Sequence, residues 1–204
     1  VVTENDYIVE GELKDGWYNE NVVIKPSGDY TEIWNGTAWA DSMTVRNGKE
    51  QNVSFKLRKQ IDGEYVETTM IHTHLTMSVD TDAPQAQIVL SENTLRKVLN
   101  KITFGLFFKD TVTAKINSSD EISGVKEVEY LISEKELTLD ELKASDKWIK
   151  GNKAELESEG RYIVYAHVTD YASNEVYINT QGVVVDKTLP VITADYKYDG
   201  EWTV

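Results

Sequence analysis

The chain holds three histidines, His72, His74 and His167, and no cysteine. His72 and His74 stand two positions apart, so on a strand both leave the same face, and neutral imidazoles converging on one point can ligate a metal. A zinc centre needs further ligands that this threonine-flanked stretch does not supply, and a solvated strand face is the plainer reading. Without cysteine there is no thiol catalysis, no disulfide and no thiolate zinc site. No Gly-x-Ser-x-Gly occurs, and no histidine sits near a nucleophile-rich loop, as a serine triad would need. The 35 acidic residues make glycosidase-like carboxylate pairs unavoidable by chance, and none stands out. No catalytic residue and no cofactor is assigned, and the chain reads as a non-enzyme.

Two other sets of residues could bind something. Asp80, Asp82 and Asp186 lie at the ends of strand-rich runs, and Asp120 and Asp170 lie in turn sequences. Calcium gathers oxygen ligands, so Asp80, Asp82 and Asp170 are candidates for a cation that stiffens a junction. Against this, there is no EF-hand loop and no Asp-x-Asp-x-Asp run, and aspartate serves turns by bonding its own backbone. Of five tryptophans, Trp34 adjoins the Asn35-Gly36 turn and is the candidate platform for stacking a sugar, with a half-buried strand residue as the alternative. The Phe104–Phe108 run fits a core or an inter-module contact better than a membrane patch.

The elements that position these residues follow from an internal repeat. Val79-Asp80-Thr81-Asp82-Ala83-Pro84 returns as Val185-Asp186-Lys187-Thr188-Leu189-Pro190, 106 positions later, the length of one β-sandwich. In each copy a strand-like run ends, and Pro84 or Pro190, which cannot donate to a ladder, starts a restricted linker. Trp39 lies 14 positions before Val53 and Trp148 lies 14 before Tyr162, so both tryptophans read as packing residues at matched sites. The predicted division is a module over 1–82, a second over 83–186, and the opening of a third over 187–204. The first residues carry no basic or apolar targeting segment and read like the inside of a module, so a longer parent chain is expected.

The patterning has period two. In Tyr162-Ile163-Val164-Tyr165-Ala166-His167-Val168 the even positions form one apolar face, as a sandwich interior requires. Strands are also expected over 111–116, 125–132 and 176–185, and in the first module over 22–24, 31–34, 53–57 and 65–79, with Asp62-Gly63 as a hairpin turn. Thr138-Leu139-Asp140-Glu141 is a capping box opening one short helix, expected to be an excursion outside the core. The fold class is therefore all-β: tandem β-sandwiches, with one short helix in the second module. A net charge of −14 disfavours nucleic acid and anionic lipid as partners. No apolar run is long enough for membrane insertion as a helix.

Gly160-Arg161-Tyr162-Ile163-Val164 resembles the tyrosine-corner strand of immunoglobulin-like sandwiches, with Tyr162 as the corner and Val164 where antibody domains place a cysteine. Residues 83–186 resemble the bacterial Ig-like repeats of Gram-positive, clostridial-type surface proteins. The stretches that carry this are Ile102–Asp110, Ser123–Tyr130 and Thr169-Asp170-Tyr171-Ala172-Ser173-Asn174, in which Ser173 replaces the family's usual glycine. The resemblance implies an extracellular, cell-surface or cell-wall protein, monomeric, whose modules act as non-catalytic spacers supporting adhesive or glycan-active domains. Its partners would be other modules of the parent chain, with glycans or a host surface protein as further candidates. A module that itself binds carbohydrate or host glycoprotein, or an accessory domain of a glycan-degrading enzyme, is the alternative.

Overall fold

The computed structural model describes residues 3–69, 75–91 and 106–193. His72, His74 and Phe104 lie outside them. The first sandwich contains β1 (Tyr7–Glu10), β2 (Leu13–Lys14), β3 (Trp17–Tyr18), β4 (Val22–Pro26), β5 (Glu32–Trp34), β6 (Trp39–Ala40), β7 (Met43–Val45), β8 (Gly48–Asn52), β9 (Lys56–Ile61), β10 (Glu64–Glu67) and β11 (Thr76–Val79). One layer has the order β1-β4-β7. The opposite layer has the order β10-β9-β5-β6 at one end and β2-β3-β11-β8 at the other. β8 and β9 run in succession, and β10 and β11 return along them, Glu64 opposite Ile61 and Thr76 opposite Asn52. Asp62 and Gly63 close this hairpin with positive φ at both positions, the geometry that matches strand twist in a two-residue turn.

The second sandwich contains β12 (Gln85–Leu90), β13 (Leu106–Phe108), β14 (Val112–Ser119), β15 (Val125–Ser133), α1 (Leu139–Lys143), β16 (Ile149–Lys150), β17 (Lys153–Leu156), β18 (Gly160–Asp170), β19 (Glu175–Asn179) and β20 (Val183–Val185). Its layers are β12-β14-β17 and β13-β20-β18-β15-β16, with β19 also on β18. The plan repeats that of the first. In each sandwich an early strand crosses to the second layer and pairs in parallel with the last strand, β3 with β11 and β13 with β20. This is the strand order of immunoglobulin-like sandwiches, and the chain is two of them in tandem.

Alternation fills both interiors. Val22, Ile24, Ile33, Phe55, Leu57 and Val79 are buried together in the first, where Tyr7 meets Phe55 edge-on at 5.3 Å. In the second, Val112, Ala114, Val164, Val183 and Val185 form one cluster, and Ile116, Ala166 and Val168 continue it toward the first sandwich. The Tyr162 hydroxyl donates to the Ser158 carbonyl at 3.1 Å, and a Cβ on Gly160 would sit 2.8 Å from that hydroxyl. The Gly-x-Tyr spacing is thus a steric requirement of the corner.

The helix departs from expectation. It was expected outside any core, yet Leu142 is buried against Leu131, Ile163 and Tyr165, with Trp148 packed alongside. The odd side chains of β18 face outward, and α1 roofs them. Thr138 and Glu141 form the capping box, the Trp148 indole donates to the Leu142 carbonyl at 3.0 Å, and the Tyr165 hydroxyl accepts the Leu137 N–H at 2.8 Å. Five residues suffice because these bonds satisfy groups that a longer helix would pair internally.

Candidate metal-binding joint between the sandwiches

Asp80 follows β11, so the first sandwich positions it. Its N–H donates to the Tyr18 carbonyl at 2.9 Å, extending the β3–β11 pairing by one residue. Its carboxylate then divides its oxygens. Oδ1 accepts the Asp82 N–H at 3.0 Å, a local aspartate turn. Oδ2 accepts the Ser123 N–H at 3.0 Å, and the Asp80 carbonyl accepts Asn174 Nδ2 at 2.9 Å. Both of the latter donors belong to the second sandwich, so one residue of the first is bonded to two loops of its neighbour. Lys126 and Asp15 add an exposed ion pair across the joint at 3.3 Å, which solvent screening makes weak.

Those two loops each carry an aspartate. Asp120 Oδ1 accepts the Ile122 and Gly124 N–H groups at 3.2 and 2.7 Å, holding the turn between β14 and β15. Asp170 Oδ1 accepts the Asn174 N–H at 2.8 Å and Oδ2 accepts Asn174 Nδ2 at 2.9 Å, holding the turn between β18 and β19. Ser173, within that turn, adopts φ 71°, a left-handed conformation natural to glycine. The oxygens of Asp80, Asp120 and Asp170 consequently lie within 4.8 Å of one another. Asp80 and Asp170 are fully buried, and Asp120 is half-buried.

Among the described residues no ion pair reaches any of the three. Burial pushes the Asp170 carboxyl above its ordinary value, and the charges of Asp80 and Asp120 push the same way, against the hydrogen bonds from Asn174. An all-oxygen set of three carboxylates suits a hard divalent cation such as calcium, which takes about 6–8 oxygens at roughly 2.3–2.6 Å. A shallow cavity of about 120 Å³ adjoins the cluster, lined in part by Asp82, Asp120 and Glu121.

Asp82, expected as a ligand, is not one of the three. Its carboxylate turns back to accept Asn47 Nδ2 of the first sandwich at 2.9 Å. Asp120 takes the place given to it, and Ser123 and Asn174, which belong to the stretches that carry the resemblance, prove to be joint contacts as well. Pro84 is buried in the linker two positions after Asp82, whereas Pro190 is exposed.

Trp34 lies on the outer face of the first sandwich, opposite Trp39 in the β5–β6 register. The two rings are 5.7 Å apart but tilted by 59°, so they offer no common plane for a sugar. Both are half-buried. The Arg58 guanidinium covers the Trp39 ring at 4.6 Å and the Tyr65 ring at 3.8 Å, and Glu32 holds it by two hydrogen bonds of 2.7 and 3.0 Å. Trp39 therefore packs on this outer face and not within the apolar interior. Trp148 packs beneath α1, beside His167 and Tyr177. His167 is held between Glu129 and Glu175 at 3.3 and 3.2 Å.

No family model and no curated protein matches the chain. Among solved structures it is similar to the fibronectin(III)-like modules of Clostridium thermocellum CbhA, at 11% identity and TM-score 0.35, over 93% of this chain and 100% of that one. It is also similar to the human OSCAR ligand-binding domain, at 10% identity and TM-score 0.27, over 82% and 90%. A third likeness is to titin domains A168–A170, at 8% identity and TM-score 0.31, over 88% of this chain and 56% of that one. All three are of fibronectin-III or immunoglobulin type. The fold assignment rests on the strand order described above.

Proposed function

We propose that the chain is a non-catalytic, monomeric spacer: two immunoglobulin-like modules set at a fixed mutual angle within a longer cell-surface or secreted protein, holding adhesive or glycan-active domains away from their anchor. The observation that carries this reading is the Asp80 joint. A flexible tether would leave the linker residues solvated, whereas Asp80 is fully buried and bonded to both sandwiches. Short, bonded linkers turn tandem modules into a semi-rigid array. The Ig-like resemblance of the second module supports the surface location. Small-angle scattering on the wild type and on Asp80→Ala tests this. The spacer reading expects one compact distance distribution for the wild type and a broadened one for the variant. Equal, broad distributions for both would sink it.

The carboxylate cluster favours a further element of the same reading, a calcium ion at Asp80, Asp120 and Asp170 that locks the joint. Two buried carboxylates and a half-buried third, with no cationic partner among the described residues, are costly to bring together, and a divalent ion removes that cost. Calorimetric titration with calcium after chelation reads it directly.

A further inference from the structure

We infer that the Asp186–Pro190 end of the second sandwich is the donor half of a second joint, preset to receive a following module whose loops carry the chemistry of Asp120–Gly124 and Asp170–Asn174. The inference rests on the spacer reading of the Asp80 joint.

Three of the hydrogen bonds that hold the first linker recur 106 positions later. The Asp80 N–H donates to the Tyr18 carbonyl at 2.9 Å, and the Asp186 N–H donates to the Phe108 carbonyl at 2.8 Å. Tyr18 and Phe108 occupy the same place, on the short strand that pairs in parallel with the last one. Asp80 Oδ1 accepts the Asp82 N–H at 3.0 Å, and Asp186 Oδ1 accepts the Thr188 N–H at 3.1 Å. Asn47 Oδ1 accepts the Thr81 N–H at 3.0 Å, and Glu159 Oε1 accepts the Lys187 N–H at 3.0 Å. Asn47 and Glu159 each directly precede the glycine that opens the long hairpin strand, Gly48 or Gly160. The side chains differ, yet the acceptor stands in the same place.

The second sandwich therefore shapes its outgoing linker by itself, without a neighbour. What differs is what the aspartate meets. Asp80 uses Oδ2 and its carbonyl to bind the next module. Among the described residues nothing donates to the same two atoms of Asp186. The chain beyond it is also uncovered: Leu189, Val191 and Ile192 are 82%, 86% and 90% exposed. The counterpart of Ile192 in the repeat is Ala86, which is half-buried against the Ile116–Ala166–Val168 cluster of its own sandwich. Ala83 and Gln85, the counterparts of Leu189 and Val191, are exposed at the first joint as well, so Ile192 is the position that the repeat packs and this end leaves uncovered. The partner is specified by chemistry: a backbone N–H presented as Ser123 presents its own, and a side-chain amide placed as in Asn174.

The test is a chain extended by repeating residues 85–186 after Pro190, with residual dipolar couplings read separately for each sandwich. The expected result is that the added copy shares the alignment of the second sandwich. Asp186→Asn, and more strongly Asp186→Ala, should release the added copy alone, and Asp80→Ala should release the first sandwich alone. A folded added copy that aligns independently, while the first joint stays fixed, overturns this inference and leaves the spacer reading standing. Independent alignment at both joints overturns the spacer reading itself. Asp186→Ala that leaves a fixed second joint unchanged also overturns the inference, because the joint would then owe nothing to Asp186.

Discussion

Asp170→Asn should change stability in opposite directions with and without calcium. In chelator, the carboxylates of Asp80, Asp120 and Asp170 face one another within 4.8 Å. Two unit charges at that separation repel by about 3 kcal/mol at an effective dielectric of roughly 20. Replacing Asp170 by its amide removes one charge and two such repulsions. Against this, the Asn174 amide, which donates to Asp170 Oδ2, loses an acceptor, at a cost of about 1 kcal/mol. These terms leave about 5 kcal/mol, which solvent screening at half-buried Asp120 and structural relaxation reduce to an expected net gain of about 1–3 kcal/mol in chelator. For a sandwich of this size each kcal/mol moves the midpoint by roughly 4–8 °C. With calcium at a hundredfold excess over its Kd the wild type should gain about 2.7 kcal/mol, and the variant should gain little because a ligand is gone. The pH dependence has a definite sign. Burial raises the folded carboxyl of Asp170 above its unfolded value, so this group's contribution to the cation-free protein is fully present below the ordinary carboxylate range and is lost as pH rises through the raised value. Calcium stabilisation should emerge over that same interval. Differential scanning calorimetry of both proteins, in chelator and in calcium, provides the readout. A wild-type midpoint indifferent to calcium, with Asp170→Asn destabilised in both conditions, would refute the reasoning.

Three further outcomes are expected. Ser173→Gly should raise the second sandwich's stability by roughly 0.5–1 kcal/mol, because the left-handed φ of 71° suits glycine, and denaturant melts measure it. Leu142→Ala should cost about 2–5 kcal/mol and lower only the second of two unfolding transitions, which would show the roof of α1 to be a core element. The Tyr177 phenol is pushed up to about 12, by burial first and then by Glu175. Its stabilising contribution should be intact below about pH 10 and lost as pH rises toward 12, and ultraviolet titration of Tyr177→Phe against the wild type should remove one late-ionising tyrosine.

The legible part of the fold was its alternation. The even residues of 162–168 do line the interior, and the Asp62-Gly63 turn closes the hairpin it promised. The odd residues of the same strand misled, since Ile163 and Tyr165 are buried beneath a helix supplied by a distant stretch, and period-two patterning cannot register a second cover. The repeated Val-Asp-x-x-x-Pro motif overlaps the ends of β11 and β20, and its aspartates bond back in matched fashion. Within the candidate site, Asp80 and Asp170 were visible as aspartates at a junction and a turn. The substitution of Asp120 for Asp82 was not visible, because it depends on which way the Asp82 side chain turns once Asn47 offers it a donor. Trp34 and Trp39 lie side by side because the register sets them so, and adjacency in sequence carries no information about the tilt between their rings.

The central claim is that Asp80 fixes one sandwich to the next. Residual dipolar couplings from the wild-type chain in calcium measure this most directly. The account predicts that couplings from residues 7–69 and from residues 106–185 fit a single alignment tensor, and that Asp80→Ala splits them into two. Two independent tensors in the wild type would contradict it.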